Sequence, residues 1–297
     1  MRKTSDLSGV AAMLAATASF VICDSFMKVV TEDLPPFEVL FLRGVAASLA
    51  CAILVALRRE WRVSAVFDGR TLLRAAAETV SVLCYIIALA RMPIADAIAI
   101  LQTAPLILIL GAALLLRERI GPTRVLLIMA GFAGALMVAQ PGSSEISSAA
   151  LFAFASALLI AARDLFGRGV KARIPVTMIA FVTTIMVMAA AGAMSLGVET
   201  WIAPTGRHLA FLGAAGLFVT LGHAGLLLAY RLGHTAVIAP FFYSFALWAV
   251  LSGLIVWGAL PNPLALAGIA VIAASGVAIV LFDQRSGRPA VALADAL

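Results

Sequence analysis

The chain alternates long apolar runs with short polar segments. A run of about twenty apolar residues is the length at which a helix crosses the hydrocarbon core of a bilayer. The pattern predicts ten such spans, at 7–31, 35–57, 70–90, 93–116, 122–140, 147–170, 175–197, 208–231, 234–258 and 263–282. Prolines and glycines mark the joints, as at Gly121-Pro122 and Pro261-Asn262-Pro263. We therefore expect an all-α integral membrane protein of ten transmembrane helices, whose first helix is retained because no cleavage site follows it.

Composition and charge agree with this pattern. The chain is 63% hydrophobic and only 12% charged, whereas a soluble domain has about 25% charged residues. The net charge of +6 could suggest nucleic acid. With the N-terminus inside, however, sixteen of the 21 basic residues fall in inside segments, two fall outside and three lie within spans. The positive-inside rule therefore predicts a multi-pass protein of the bacterial inner membrane with both termini cytoplasmic. The lipid bilayer, not nucleic acid, is the expected partner.

The second half of the chain repeats the first at an offset of 140 residues. The matched positions are Asp24 with Asp164, Phe26 with Phe166, and Lys28 with Arg168. Because five spans is an odd number, the second copy enters the membrane from the opposite side. We therefore predict two inverted five-helix repeats, at 1–141 and 142–285, followed by a short cytoplasmic tail at 286–297. Inverted repeats are typical of secondary transporters, whose substrate site lies near the midplane at the repeat interface.

Charged residues inside the spans fall into two levels. At about 1.5 Å rise per residue, Asp24 lies roughly 7 Å outward of the middle of its span, and Arg43 has a similar depth. Arg163, Asp164 and His223 lie at the mirrored inner level. We predict that these layers close alternately, with Lys28 added to the outer layer and Arg168 to the inner one. Lys28 and Arg168 could instead snorkel to the interface.

One acid lies deeper than the others. Glu78 is near the middle of span 70–90, with Ser81 and Tyr85 on the same helical face. Intramembrane carboxylates are rare and costly, so Glu78 is the candidate for a proton-linked or substrate-ammonium site. The alternative is a protonated carboxyl group bonded to a neighbouring helix. The predicted cavity residues are Phe20, Glu78, Ser81, Tyr85, Gln102, Phe242 and Tyr243.

Spans 93–116 and 234–258 occupy equivalent places in the two halves. Each carries an internal proline, Pro105 and Pro240, which favours a kink. The stretch 241–248 contains five aromatic residues. An aromatic wall beside a few polar groups suits an amphipathic organic substrate and does not suit an inorganic ion.

The stretches PFEVLFLRG, ALARMPIADAIAILQTAPLILILGAALLLRERIG and GFAGALMVAQPG resemble the drug/metabolite transporter superfamily, in its EamA-type branch. The resemblance covers roughly 10–283. It implies a central cavity and export of amino acids, aromatic ones included, or related metabolites from the bacterial cytoplasm. Glu118 matches a glutamate typical of the family, whereas its second-half equivalent is Gly258 or a neighbour.

Alternative functions remain open at this point. Another solute, such as S-adenosylmethionine, a drug or a nucleoside-like metabolite, fits the same pattern. A channel is disfavoured by the kinked midplane helices. An intramembrane enzyme is disfavoured because His223 has no activating partner and no GxSG motif is present. The sequence has no metal-ligand spacing, so no metal, cofactor or catalytic residue is expected. Small-residue stretches such as Gly131–Gly134 either pack the core or form a homodimer.

Overall fold

The computed structural model describes residues 2–63, 66–116, 121–140, 146–167, 174–232 and 234–285. Within these ranges every regular element is helical and no strand occurs. The helices are α1 (Arg2–Val30), α2 (Pro36–Arg58), α3 (Gly69–Arg91), α4 (Ile94–Leu101), α5 (Ala104–Leu116), α6 (Pro122–Ala139), α7 (Ile146–Gly167), α8 (Val176–Val198), α9 (Gly206–Leu232), α10 (Thr235–Ile238), a 3₁₀ turn (Ala239–Tyr243), α11 (Ser244–Trp257) and α12 (Pro263–Arg285).

The described residues contain nine helical segments that are long and apolar enough to cross a membrane, and a shorter apolar helix at Val125–Ala139. These segments correspond to the ten predicted spans and give the all-helical membrane fold that the sequence indicated. The predicted boundary between residues 141 and 142 and the tail at 286–297 lie outside the described residues, so the domain limits stay predictions.

Two of the spans are broken near their middles. Span four is divided into α4 and α5, and Pro105 lies in the first turn of α5. Span nine consists of α10, the 3₁₀ turn that contains Pro240, and α11. Proline removes a backbone hydrogen bond, and its ring clashes with the carbonyl four residues earlier. An unbroken α-helix is therefore disfavoured at both positions, and the backbone that departs from the α-helix lies at buried residues such as Thr103 and Ala239.

The main helix contacts join the first five spans to the last five. Helix α1 packs on α9, α3 on α7, α2 on α8, and α6 on α12. In the two repeats, α1 corresponds to α7, α2 to α8, α3 to α9 and α6 to α12. Exchanging the two halves therefore turns the α1–α9 contact into the α7–α3 contact, and it leaves the α2–α8 and α6–α12 contacts unchanged. The packing thus has the pattern expected of two repeats related by a two-fold axis.

Small residues permit the closest of these contacts. A Cβ atom added to Gly268 would lie 2.5 Å from the backbone oxygen of Gly134, and one added to Gly134 would lie 2.8 Å from the backbone oxygen of Gly268. The backbones of α6 and α12 therefore touch directly, as helices in membranes do at small residues. Gly131 and Gly134 pack the interior of the chain in this structure.

Candidate substrate cavity

A cavity of about 350 Å³ lies between the two halves. Three arginines line it at one end of the bundle, which we call the mouth end: Arg58, Arg74 and Arg231. Its deepest part, which we call the floor, contains Asp24, Arg43 and Tyr85. The opposite ends of α2, α8 and α9, which we call the closed end, contribute none of the described lining residues. The described lining therefore reaches one end of the bundle and stops short of the other, and the predicted topology makes the end that it reaches cytoplasmic.

An ion-pair cluster stands on one wall of the cavity. The Arg163 guanidinium lies 2.6 Å from Glu78 Oε2 and 2.6 Å from Asp164 Oδ1. The contact to Glu78 ties α3 to α7. Sequence reasoning treated Glu78 as a separate midplane site, whereas the structure joins it to the inner charge layer, because Arg163 reaches across the interface between the repeats.

The floor holds two opposite charges. The Tyr85 hydroxyl donates a hydrogen bond of 2.8 Å to Asp24 Oδ2. Arg43 lies near enough to Asp24 to interact with it electrostatically. Within the described residues, no salt bridge joins Arg43 to Asp24. Both side chains are buried.

Aromatic rings form another part of the lining. The Phe20 and Phe245 ring centroids are 6.2 Å apart, and those of Phe242 and Phe245 are 6.3 Å apart. His223 packs edge-on against Phe20 at 5.0 Å, and its Nδ1 lies 2.8 Å from the Val219 carbonyl oxygen. Because a carbonyl can only accept a hydrogen bond, Nδ1 carries the hydrogen, and Nε2 is left free of this contact.

Comparison with known proteins identifies this architecture. The model of the EamA-like transporter family matches residues 7–140. A riboflavin transporter from Rhizobium johnstonii is 33% identical over 224 residues, which cover 75% of this chain and 73% of that protein. The chain belongs to the EamA-like transporter family.

Two further matches extend over nearly the whole of this EamA-like transporter. The pseudopaline exporter of Pseudomonas aeruginosa is 28% identical over 276 residues, covering 92% of this chain and 95% of the exporter. A crystal structure covers 96% of this chain and 99% of its own with a TM-score of 0.65 and 20% identity, a likeness that shows the fold alone. The protein is a multi-pass membrane transporter of this family.

The cavity of the EamA-like transporter brings together most of the residues that the sequence singled out. Its lining includes Phe20, Glu78, Ser81, Tyr85, Gln102, Pro105 and Phe242, together with Asp24, Arg43, Arg163, Asp164 and His223. Ser81 contributes to helix packing as well, since its hydroxyl lies 2.9 Å from that of Ser156 on α7. Arg168 and Glu118 lie outside the described residues.

Tyr243 is a correction to the predicted cavity. It is not among the described lining residues, and its ring packs against Gly276 of α12. The reason is the 3₁₀ turn, which has three residues per turn. Successive side chains in such a turn are about 120° apart around its axis, so with Phe242 facing the cavity the ring of Tyr243 points away from it. Its backbone oxygen accepts a hydrogen bond of 3.4 Å from Gln102 Nε2.

Lys28 is a second correction. It was expected in the outer charge layer with Asp24, but its Nζ donates to the backbone oxygens of Leu89, at 2.7 Å, and Met92, at 2.8 Å. Its ammonium also lies over the Trp257 ring, 5.8 Å from the centroid. The last carbonyls of a helix lack partners within the helix and attract cations. Lys28 therefore binds the C-terminal end of α3 and does not line the cavity.

Sequence reasoning missed the residues that seal the closed end. The Glu199 carboxylate accepts hydrogen bonds from the backbone N–H groups of Phe37, at 3.0 Å, and Glu38, at 3.1 Å. In return, Glu38 accepts a hydrogen bond of 3.0 Å from the N–H of Ile202. The first N–H groups of a helix lack intrahelical partners, and Glu199, at the end of α8, accepts hydrogen bonds from two of them at the start of α2.

Two further side-chain contacts cross the closed end. His208 Nε2 lies 3.2 Å from Asp33 Oδ2, and the Trp257 indole donates a hydrogen bond of 2.7 Å to Glu32 Oε1. Each contact joins the first half of the chain to the second. The closed end is thus held by contacts between the repeats.

Proposed function

We propose that this EamA-like transporter exports amino acids or similar small amphipathic metabolites across the bacterial inner membrane by alternating access. The observation that carries the proposal is the cavity itself, in which aromatic rings and charged groups share one lining that is open at one end and closed at the other. Such a lining suits a solute with an apolar part and polar or charged groups. No covalent chemistry is required of any residue.

The sealed end supports a carrier in preference to a channel. A channel needs a continuous path, whereas here bonds between the repeats, such as that of Glu199 to the start of α2, separate the floor from the closed end. In the predicted topology this is the conformation that loads substrate from the cytoplasm. Opening the closed end while the mouth closes would release the substrate outside.

A flavin-like solute is the second candidate substrate. Its support is the 33% identity with a protein named riboflavin transporter, together with the Phe20, Phe242 and Phe245 rings, on which a planar group could stack. S-adenosylmethionine and other drug- or nucleoside-like solutes remain further alternatives of the same kind. The amino-acid proposal is favoured by the charged groups that line the cavity beside these rings.

Counterflow on purified protein in liposomes tests the proposal. Vesicles preloaded with one unlabelled solute are offered the labelled solute, and the panel contains the amino acids, riboflavin and S-adenosylmethionine. We expect saturable, transient accumulation of at least one amino acid, reduced about tenfold by Phe242→Ala through loss of apolar contact. Counterflow of riboflavin alone would favour the second candidate. Non-saturable flux without counterflow would contradict a carrier.

A further inference from the structure

The floor of the cavity leaves two opposite charges unpaired with each other. Arg43 is 9% exposed and Asp24 is 8% exposed. Arg43 Nε has no hydrogen-bond partner within the described residues. The hydrogen bond that Asp24 does accept comes from a neutral group, the Tyr85 hydroxyl. The described residues thus contain a buried cation and a buried anion side by side that form no salt bridge.

On another wall of this cavity, an arginine does form salt bridges with neighbouring acids. Arg163 contacts both Glu78 and Asp164 at 2.6 Å. Asp164 is the position that matches Asp24 at the 140-residue offset. The floor therefore differs from its counterpart in the second half, where the equivalent acid is held by an arginine.

The two halves also differ at the position that matches Arg43, where the second half has no arginine. That position is Thr183, which lines the cavity and whose Oγ1 has no partner among the described residues. Only the floor of the first half combines an arginine and an aspartate in these places. Charges inside a membrane protein cost about 3 kcal/mol or more each and are retained where they have a function. The contacts that these two charges make are with neutral groups, Tyr85 for Asp24 and the Cys23 thiol for Arg43, so both charges are still able to pair with a charged ligand.

We propose that Arg43 binds the carboxylate of the substrate and Asp24 binds its ammonium group, while Phe20, Phe242 and Phe245 contact its apolar part. The substrate class is then an amphipathic zwitterion. This assignment rests on the proposed function and narrows it, because a neutral planar solute has no use for the two charges. Charge-assisted hydrogen bonds of this kind are directional and fix the orientation of the ligand.

Three phenyl compounds that differ only in their charges test the assignment. Phenylalanine carries both groups, phenylpropionate lacks the ammonium group, and phenylethylamine lacks the carboxylate. Binding to purified protein in detergent is measured by calorimetry. We expect Arg43→Gln to weaken phenylalanine and phenylpropionate by about tenfold or more, and to leave phenylethylamine within about twofold. Asp24→Asn should weaken phenylalanine and phenylethylamine and spare phenylpropionate.

The controls separate binding from folding. Arg91→Gln removes an exposed arginine at the end of α3 and should leave the affinity for all three compounds unchanged. Arg43→Lys and Asp24→Glu keep the charges and should restore part of the affinity. Equal weakening of all three compounds by Arg43→Gln or Asp24→Asn would show a structural role and overturn the assignment.

The wild-type protein separates failure of this inference from failure of the proposed function. If it binds none of the three phenyl compounds but shows counterflow of riboflavin, the zwitterion assignment is wrong and the transporter function stands. If it shows no counterflow with any solute of the panel, the proposed function itself fails. Binding of phenylalanine together with the two mirrored losses of affinity supports both.

Discussion

The Arg163 cluster predicts an unequal response to two substitutions that each remove one charge. Arg163 contacts both Glu78 and Asp164, so Arg163→Gln removes the guanidinium that pairs with both carboxylates and leaves Arg74 to attract Glu78 electrostatically. Glu78→Gln is milder, because Arg163 still contacts Asp164 and the new amide oxygen can still accept a hydrogen bond. The arginine variant should therefore be the less stable of the two.

The size of the difference follows from burial. Removing one partner of a buried ion pair costs about 3–5 kcal/mol. The Arg163 and Glu78 side chains are 17% and 16% exposed, which places Arg163→Gln near 3 kcal/mol, the lower end of that range. Glu78→Gln replaces a charge-assisted hydrogen bond by a neutral one and should cost about 1 kcal/mol. The expected gap is about 2 kcal/mol.

Denaturant unfolding in detergent micelles measures both variants. The double variant Glu78→Gln/Arg163→Gln completes a double-mutant cycle and is its decisive member. Arg163→Gln leaves two carboxylates without the arginine that contacts them, and Glu78→Gln then removes one of these carboxylates. It should be more stable than Arg163→Gln alone by about 1 kcal/mol. A double variant that is less stable than the single one would refute the argument, as would equal stability of the two single variants.

Three other predictions concern the closed end, the helix contacts and coupling. Glu199→Ala should remove the acceptor that caps the start of α2, at a cost of about 1 kcal/mol. In a variant whose only cysteine is Cys23, it should also speed labelling by an impermeant maleimide added at the closed end, and an unchanged rate would show that the Glu199 contacts do not seal that end. Gly268→Ala should lower stability in micelles by about 1–3 kcal/mol, because its Cβ would meet the Gly134 oxygen at 2.5 Å. Gly213→Ala, with nothing within 4 Å, is the matched control, and an equal loss would argue against close packing. Glu78→Gln should change the pH dependence of transport, and an unaltered profile would exclude proton coupling through this residue.

The helical spans were predictable because lipid imposes a local requirement. Each span must be apolar over about twenty residues, and that property can be summed along the sequence. Depth along a span is equally local, since every residue adds about 1.5 Å. The levels of Asp24, Arg43 and Arg163 could therefore be estimated, and the structure places all three in the cavity lining.

The direction in which a side chain points around its helix axis was less predictable. Lys28 lies one helical turn from Asp24, yet it reaches the carbonyls of Leu89 and Met92 on another helix. Tyr243 is turned away because Pro240 lies in a 3₁₀ turn whose extent the sequence did not specify. Glu199 was missed because its partners are backbone N–H groups 161 and 162 residues away along the chain, and no side-chain pattern marks them.

By itself, the sequence determined that lipid surrounds this protein, how many times the chain spans the membrane and that its two halves repeat, since hydrophobic transfer depends on each residue and its neighbours. Only the tertiary structure decided that Arg163 closes on Glu78 and Asp164 while Arg43 and Asp24 stay apart, and that one end of the cavity is sealed. The physical reason is that these features depend on contacts between helices distant in the chain.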